Sequence, residues 1–169
     1  PPRRLLLKEL GAKSGKTIVF VRTQHGTERL AKLVRTAGFL ADRLHGGRTQ
    51  GQRKRALDMF RKGETQVLLA TDIAGRGIDI DDIEFVINFD MPKTQEDYIH
   101  RIGRTGRYGR AGIAINFVTH EDSRLMRLLT PDAFKRGSRS AEAPRPMTSG
   151  RPQSPRPSQG RPRSGEGQG

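Results

Sequence analysis

Short apolar runs alternate with amphipathic stretches from residue 1 to about residue 134. Runs at 17–21, 40–44, 66–70, 85–88 and 113–118 are the length of strands. Between them lie helical patterns. Leu30, Leu33, Val34 and Ala37 share one face, and so do Arg53, Ala56, Leu57 and Phe60. Ile99 with Ile102 marks a further helix, and Leu125, Leu128 and Leu129 a last one. Gly38 and Gly63 stand where helix C-caps belong. Strands that alternate with helices must cover both faces of a parallel sheet, which makes an α/β fold. In such sheets ligands gather at the carboxyl ends of the strands. Polar clusters follow three of the runs directly: Arg22-Thr23, His45-Gly46-Gly47 and Thr71-Asp72.

The pattern stops near Gly137. Beyond it there is no aromatic residue and no Leu, Ile or Val, and six of the ten prolines lie there. Residues 135–169 hold eight basic and two acidic side chains, so they carry +6 of the net +14. Too little apolar surface is present to offset chain entropy, so the expectation is a domain at 1–134 and a disordered Arg/Pro/Ser/Gly-rich basic tail at 135–169. The excess of positive charge points to a polyanionic partner. No apolar run approaches a membrane span, so no membrane role is expected. With no cysteine, disulfides and thiolate metal sites are excluded, and the four histidines lack metal-ligand spacing. Pro1 in place of Met suggests a processed product or an excised piece.

Residues 100–107 read His-Arg-Ile-Gly-Arg-Thr-Gly-Arg. Gly103 and Gly106 weaken a helix, which places the run at a helix end entering a loop. Guanidinium groups spaced this way suit phosphate oxygens, being planar, always charged and able to bind in a fork. Residues 11–17, Gly-Ala-Lys-Ser-Gly-Lys-Thr, look like a phosphate-binding P-loop but have three residues between the glycines where four are needed. They also run into a strand instead of opening a helix.

These residues together carry a resemblance. Residues 70–79 (Ala-Thr-Asp-Ile-Ala-Gly-Arg-Gly-Ile-Asp), followed by 100–107, closely resemble motifs V and VI of DEAD-box RNA helicases. Residues 18–23 look like motif IV, and His45-Gly46-Gly47 with Gln50 and Arg53 look like the segment between IV and V. His100 favours this family over related helicases, which usually carry Gln there. The chain departs from the pattern at Gly47, where Asp is common. The resemblance spans about residues 3 to 130 and implies the second of two RecA-like lobes, a parallel sheet sandwiched by helices. It further implies ATP with Mg²⁺, bound mainly by an N-terminal lobe in cis that these residues do not include. The chain by itself is therefore expected to be inactive.

Carried over residue by residue, the resemblance makes Arg104 and Arg107 the arginine fingers toward the γ-phosphate, and Asp79 the acceptor for the ATP ribose. Arg76, His100 and Arg101 would contact the other lobe. Gly47, Arg53 and Thr71 match positions that touch the RNA backbone, with Arg22, Thr23, Gln50 and Asp72 as neighbours. Aromatics make up only 5% of the chain, which fits a grip on phosphates and 2′-hydroxyls more than base stacking. The expected activity is RNA-stimulated ATP hydrolysis with local duplex unwinding, by a monomer in the cytoplasm. A non-catalytic RNA-binding or annealing module and a DNA-directed helicase lobe are the competing readings.

Overall fold

The computed structural model describes residues 2–107 and 109–129. The expected tail lies outside the described residues, as does Tyr108. Five strands form one parallel sheet: β1 (Lys16–Phe20), β2 (Ala41–Leu44), β3 (Val67–Ala70), β4 (Ile83–Asn88) and β5 (Ile113–Asn116). Their order across the sheet is β2-β3-β1-β4-β5, with every neighbouring pair parallel. Each of the five expected runs becomes a strand, with ends displaced by at most two residues.

Alternation along the central strands sorts the core into two layers. Ile18 and Phe20 of β1, with Leu68 and Ala70 of β3, face one side. There they meet Ala56 and Phe60 of α3 (Gln50–Lys62) and Ala74 of α4 (Asp72–Gly75). Val19, Val67 and Leu69 face the other side, against Leu30, Ala31 and Val34 of α2 (Gln24–Thr36). Leu6 and Leu10 of α1 (Pro2–Gly11) complete that layer. Central strands buried on both faces read as continuous apolar runs, which is why they were visible in the sequence. Helix α1 was not expected; Leu6 and Leu10, one turn apart and both buried, are the signal that marks it.

Helix ends follow local chemistry. Thr23 starts α2 by accepting from the Gly26 amide at 3.0 Å. Thr49 starts α3 in a capping box, accepting from the Gln52 amide while Gln52 Oε1 accepts from the Thr49 amide. Such caps contribute about 1 kcal/mol. Gly63 ends α3 at φ 80, a left-handed conformation that favours glycine. The cap of α2 is Ala37, with Gly38 one residue further on at φ 94. Ala37 is thus exposed at the helix end and is not part of the buried face. Residues 11–17 leave α1 and enter β1, and Lys16 Nζ is held by Asp82 Oδ2 at 2.6 Å and the Arg61 carbonyl at 2.7 Å. That geometry is not a phosphate cradle.

Helix α5 (Gln95–Ile102) breaks the expected pattern. Ile99 is 53% exposed, whereas Arg101 is 2% exposed. The helix turns a cation inward because partners await it there, as described below. A 3-10 turn at His120–Asp122 leads into α6 (Ser123–Leu129), where Leu125 and Leu129 are half-buried and Leu128 is exposed. No described helix is long and apolar enough to cross a membrane.

Candidate functional site

The carboxyl ends of β1, β3 and β4 open into a cleft of about 400 Å³. Arg22 and Thr23 follow β1 into it, and Thr71 and Asp72 follow β3. The Arg22 side chain is exposed, while its backbone amide donates to Asp90 Oδ2 at 2.8 Å. Thr71, buried apart from the edge that lines the cleft, is the N-cap of α4 and makes no side-chain cap hydrogen bond. Ile73, 82% exposed, lies on the same wall.

After β2 the chain turns through His45, Gly46 and Gly47. The Gly47 amide donates to His45 Nδ1 at 3.2 Å, which leaves the His45 proton on Nε2, facing Glu28 Oε1 at 2.8 Å. Partial burial pushes the Glu28 carboxyl up, but hydrogen bonds from Arg43 and His45 outweigh it and hold it below its ordinary range. A Cβ on Gly47 would come within 2.8 Å of Gln24 Oε1. Glycine here lets the flexible Gln24 side chain lie against the loop. Gln50 and Arg53 stand on the first turn of α3 immediately beyond. They line a separate cleft, so the expected RNA residues fall into two adjoining groups.

The second cluster forms where α5 ends. Gly103 caps the helix, and the chain enters the loop that carries Arg104 and Arg107. Arg104 Nη1 donates to the Ile78 carbonyl at 2.8 Å, and its Nε to the His100 carbonyl at 3.2 Å. Arg107 Nε donates to the Gly103 carbonyl at 2.8 Å, and its Nη1 lies 3.6 Å from Asp79 Oδ1. The structure thus brings Asp79, Arg104 and Arg107 together from segments 25 residues apart in sequence. Burial, then the like charge of Arg107, lowers the Arg104 pKa, and Asp79 works in the opposite direction. A guanidinium has five N–H donors, so both arginines keep donors for an incoming anion. Asp79 is 86% exposed in its side chain and can accept from a hydroxyl. The set can thus bind an anion and a hydroxyl side by side.

Thr105 Oγ1 anchors the loop by donating to the Ile83 carbonyl at 2.6 Å. Gly112 packs against it so tightly that an added Cβ would collide with the Gly106 amide nitrogen and Thr105 Oγ1. Gly112→Ala is expected to cost about 1–3 kcal/mol, the range for overpacking, read as a lower midpoint in denaturant. A midpoint unchanged from the parent chain would mean that the loop yields freely.

Between the two clusters runs a buried polar chain that was not read in the sequence. Arg101 grips Asp72 with both Nε and Nη2, at 2.5 and 2.7 Å. Its Nη1 donates to Asn88 Oδ1 at 2.9 Å and to the Asp90 carbonyl at 2.6 Å. Asn88, fully buried at the end of β4, donates to Asn116 Oδ1 at the end of β5, and Asn116 donates to the Tyr98 hydroxyl. The Phe20 ring centroid lies 5.0 Å from the Arg101 guanidinium carbon. This placement corrects two expectations. Arg101 does not face another lobe, because its donors are spent inside this one. Asp72 lines the cleft, but both its oxygens are engaged by Arg101 and do not face a strand of RNA. Of the other interlobe candidates, His100 is exposed near Glu96, and Arg76 is exposed while paired with Asp97 Oδ1 at 2.9 Å. A hydrogen bond from Thr94, then one from Arg76, holds the Asp97 carboxyl below its ordinary range. Among the described residues no cluster of three or more His, Asp or Glu could hold a metal ion.

A parallel α/β lobe with cations at its strand ends and an arginine loop at its rim defines a helicase C-terminal domain of RecA-like fold. Residues 2–109 match the helicase conserved C-terminal domain family. The human probable ATP-dependent RNA helicase DDX23 is 54% identical over 106 residues, which is 63% of this chain and 13% of that protein. Among solved structures, the E. coli DEAD-box protein SrmB, bound to regulator of ribonuclease activity A, superposes with a TM-score of 0.72. It is 41% identical, with 77% of each chain covered. Dbp5 of S. cerevisiae bound to RNA and ADP BeF3 gives a TM-score of 0.71 at 34% identity, covering 77% of this chain and 35% of that one. The chain belongs to the DEAD-box RNA helicases, as their C-terminal lobe. It spans only a small part of the curated relatives it matches, 13% of DDX23 and 21% of the DEAD-box ATP-dependent RNA helicase 30 of Arabidopsis thaliana.

Proposed function

We propose that this lobe serves RNA-stimulated ATP hydrolysis and local strand separation, completed by an N-terminal lobe in cis that holds ATP and Mg²⁺. The observation that carries the reading is the convergence of Asp79, Arg104 and Arg107 beyond the end of α5, where Arg104 shares a pocket with Asp72 and Arg101, two residues that also line the Arg22–Thr23–Thr71 cleft. Asp79 accepts a hydrogen bond from the ribose. Arg104 and Arg107 donate to phosphoryl oxygens as negative charge builds there. Arg22, Arg53, Thr23, Thr71 and the exposed Gly47 backbone, with Gln50, hold one RNA strand by its phosphates, which gives binding without sequence choice. The lobes close only when both ligands are present, and a strand bent by closure no longer fits a duplex. His100 and Arg76 meet the other lobe. The basic residues of 135–169 act as an electrostatic tether for RNA.

Arg53→Ala in the complete protein tests the RNA half of this reading. Losing one charge-assisted contact is expected to raise the RNA concentration for half-maximal ATPase about tenfold, with the maximal rate retained. A lowered maximal rate with no change in RNA requirement would place Arg53 outside the RNA path. Equal stimulation by DNA of the same sequence would remove the RNA assignment.

A further inference from the structure

Helix α3 carries more charge than its place in the fold requires. Its thirteen residues include Arg53, Lys54, Arg55, Arg61 and Lys62 against a single carboxylate, Asp58. Arg61 is committed: it pairs with Asp58 at 3.1 Å and reaches the Asp79 carbonyl at 3.4 Å. The side chains of Arg53, Lys54, Arg55 and Lys62 make no ion pair or hydrogen bond among the described residues. Elsewhere on the lobe, Lys13, Lys16, Arg35, Arg43 and Arg76 are matched by carboxylates, while Arg29 and Lys32 of α2 are not. The α3 row of cations against one carboxylate gives the exposed side of the helix a net positive charge.

The row has a direction. Helix α3 begins beside the Gly46–Gly47 turn at the carboxyl ends of the strands and ends at Gly63, beside the start of β3 at the opposite edge. Arg53, Lys54 and Arg61 line a cleft of about 300 Å³ along the helix. Lys54, Arg55 and Lys62 line a second, of about 420 Å³, beside it. From Arg53 to Lys62 the helix rises about 14 Å. Its one aromatic residue, Phe60, is buried in the core and offers no base a stacking surface. Asp58 borders both clefts and Glu64 the second, but ammonium and guanidinium donors outnumber them, a balance that fits a phosphodiester backbone.

We infer that the outer face of α3 is a second RNA-backbone surface, which takes the strand leaving the strand-end cleft past Arg53 and carries it down the flank of the lobe. The inference rests on the RNA reading proposed above and lengthens the path that reading describes. Lys54, Arg55 and Lys62 hold successive phosphates of the flanking single strand and touch no base.

The test uses the 169-residue chain and its Lys54→Ala/Arg55→Ala/Lys62→Ala variant, whose truncated side chains have no partners to lose. Fluorescence anisotropy is read with uridine oligomers of about six and about sixteen nucleotides, over a range of salt concentrations. Residues 135–169 are identical in both proteins, so their contribution cancels. For the long oligomer, the variant is expected to bind about tenfold more weakly, with a log–log salt slope shallower by about 2, since each phosphate contact to a single strand contributes about 0.7. The short oligomer is expected to bind both proteins alike. Equal weakening for the two lengths would mean a general charge effect and overturn the inference. No change for either would assign the helix to an acidic protein partner and also overturn it. If neither oligomer binds the parent chain, the flank of the lobe is no RNA surface of its own and the inference falls, while the RNA reading, which needs both lobes, is tested separately by Arg53→Ala in the complete protein.

Discussion

Arg107→Ala in the complete protein is expected to lower RNA-stimulated ATP hydrolysis by a factor of about 10³ to 10⁵, or about 4–7 kcal/mol of transition-state stabilisation. The geometry makes this the cleaner of the two arginine tests. Arg107 is tied to the lobe by one carbonyl, that of Gly103, and by a loose 3.6 Å approach to the exposed Asp79. Its loss therefore leaves no buried partner stranded, and the melting temperature should hold. Arg104→Ala is expected to slow hydrolysis by a similar factor, but with some loss of stability, because Arg104 also closes the hydrogen bond to the Ile78 carbonyl. Lysine at either position restores the charge without the fork and should recover only part of the rate. Phosphate release measured with saturating RNA and ATP decides the matter. A rate in Arg107→Ala within about threefold of the parent would remove it from the reaction, since a positioned finger contributes far more.

The second large effect concerns stability. Asp72→Asn should destabilise the described lobe by about 3–5 kcal/mol, because it leaves the Arg101 guanidinium buried without a counter-charge. Arg101→Met should cost less. The Asp72 side chain is a third exposed and can rehydrate, while methionine keeps contact with the Phe20 ring. The double variant should be closer to Arg101→Met than to the sum of the two, as expected for partners in one ion pair. Denaturant midpoints of the 169-residue chain give all three values. A cost below about 1 kcal/mol for Asp72→Asn would show that the pair is no more than a surface ion pair.

All five strands were legible in the sequence: β1 and β3 because strands covered on both faces are apolar throughout, and the edge strands β2, with Asp42 and Arg43, and β5, with Ile113 exposed, only as short runs between helical patterns. The placement of Arg104 and Arg107 just beyond a helix end was legible because Gly103 and Gly106 weaken a helix there. Helix α1 escaped because Pro2, Arg3 and Arg4 mask the short Leu6–Leu10 stripe. Arg101 was misplaced because the resemblance assigned it to a contact with another lobe, and an arginine is ordinarily a surface residue. What reverses that rule is a partner set, Asp72, Asn88 and the Asp90 carbonyl, drawn from three other parts of the chain. Asn88 and Asn116 look like turn residues at strand ends, and only their adjacent places in the β4–β5 register reveal them as a pair. Contacts of that range leave no local signature.

The chain of side chains from Asp72 through Arg101 to Tyr98 also sets a trap for mutational mapping. Asp72 sits on the wall of the cleft proposed to receive a strand, so weaker RNA binding on its replacement would be read as a lost contact. The cause would lie elsewhere: released from Asp72, Arg101 pulls on α5, whose cap at Gly103 aims the arginine loop. A defect scored at one ligand would then originate in the seating of the other. Phenotypes at this position describe the lobe's internal alignment, and separation-of-function alleles should be sought at Thr23 or Arg22, which stand outside that chain.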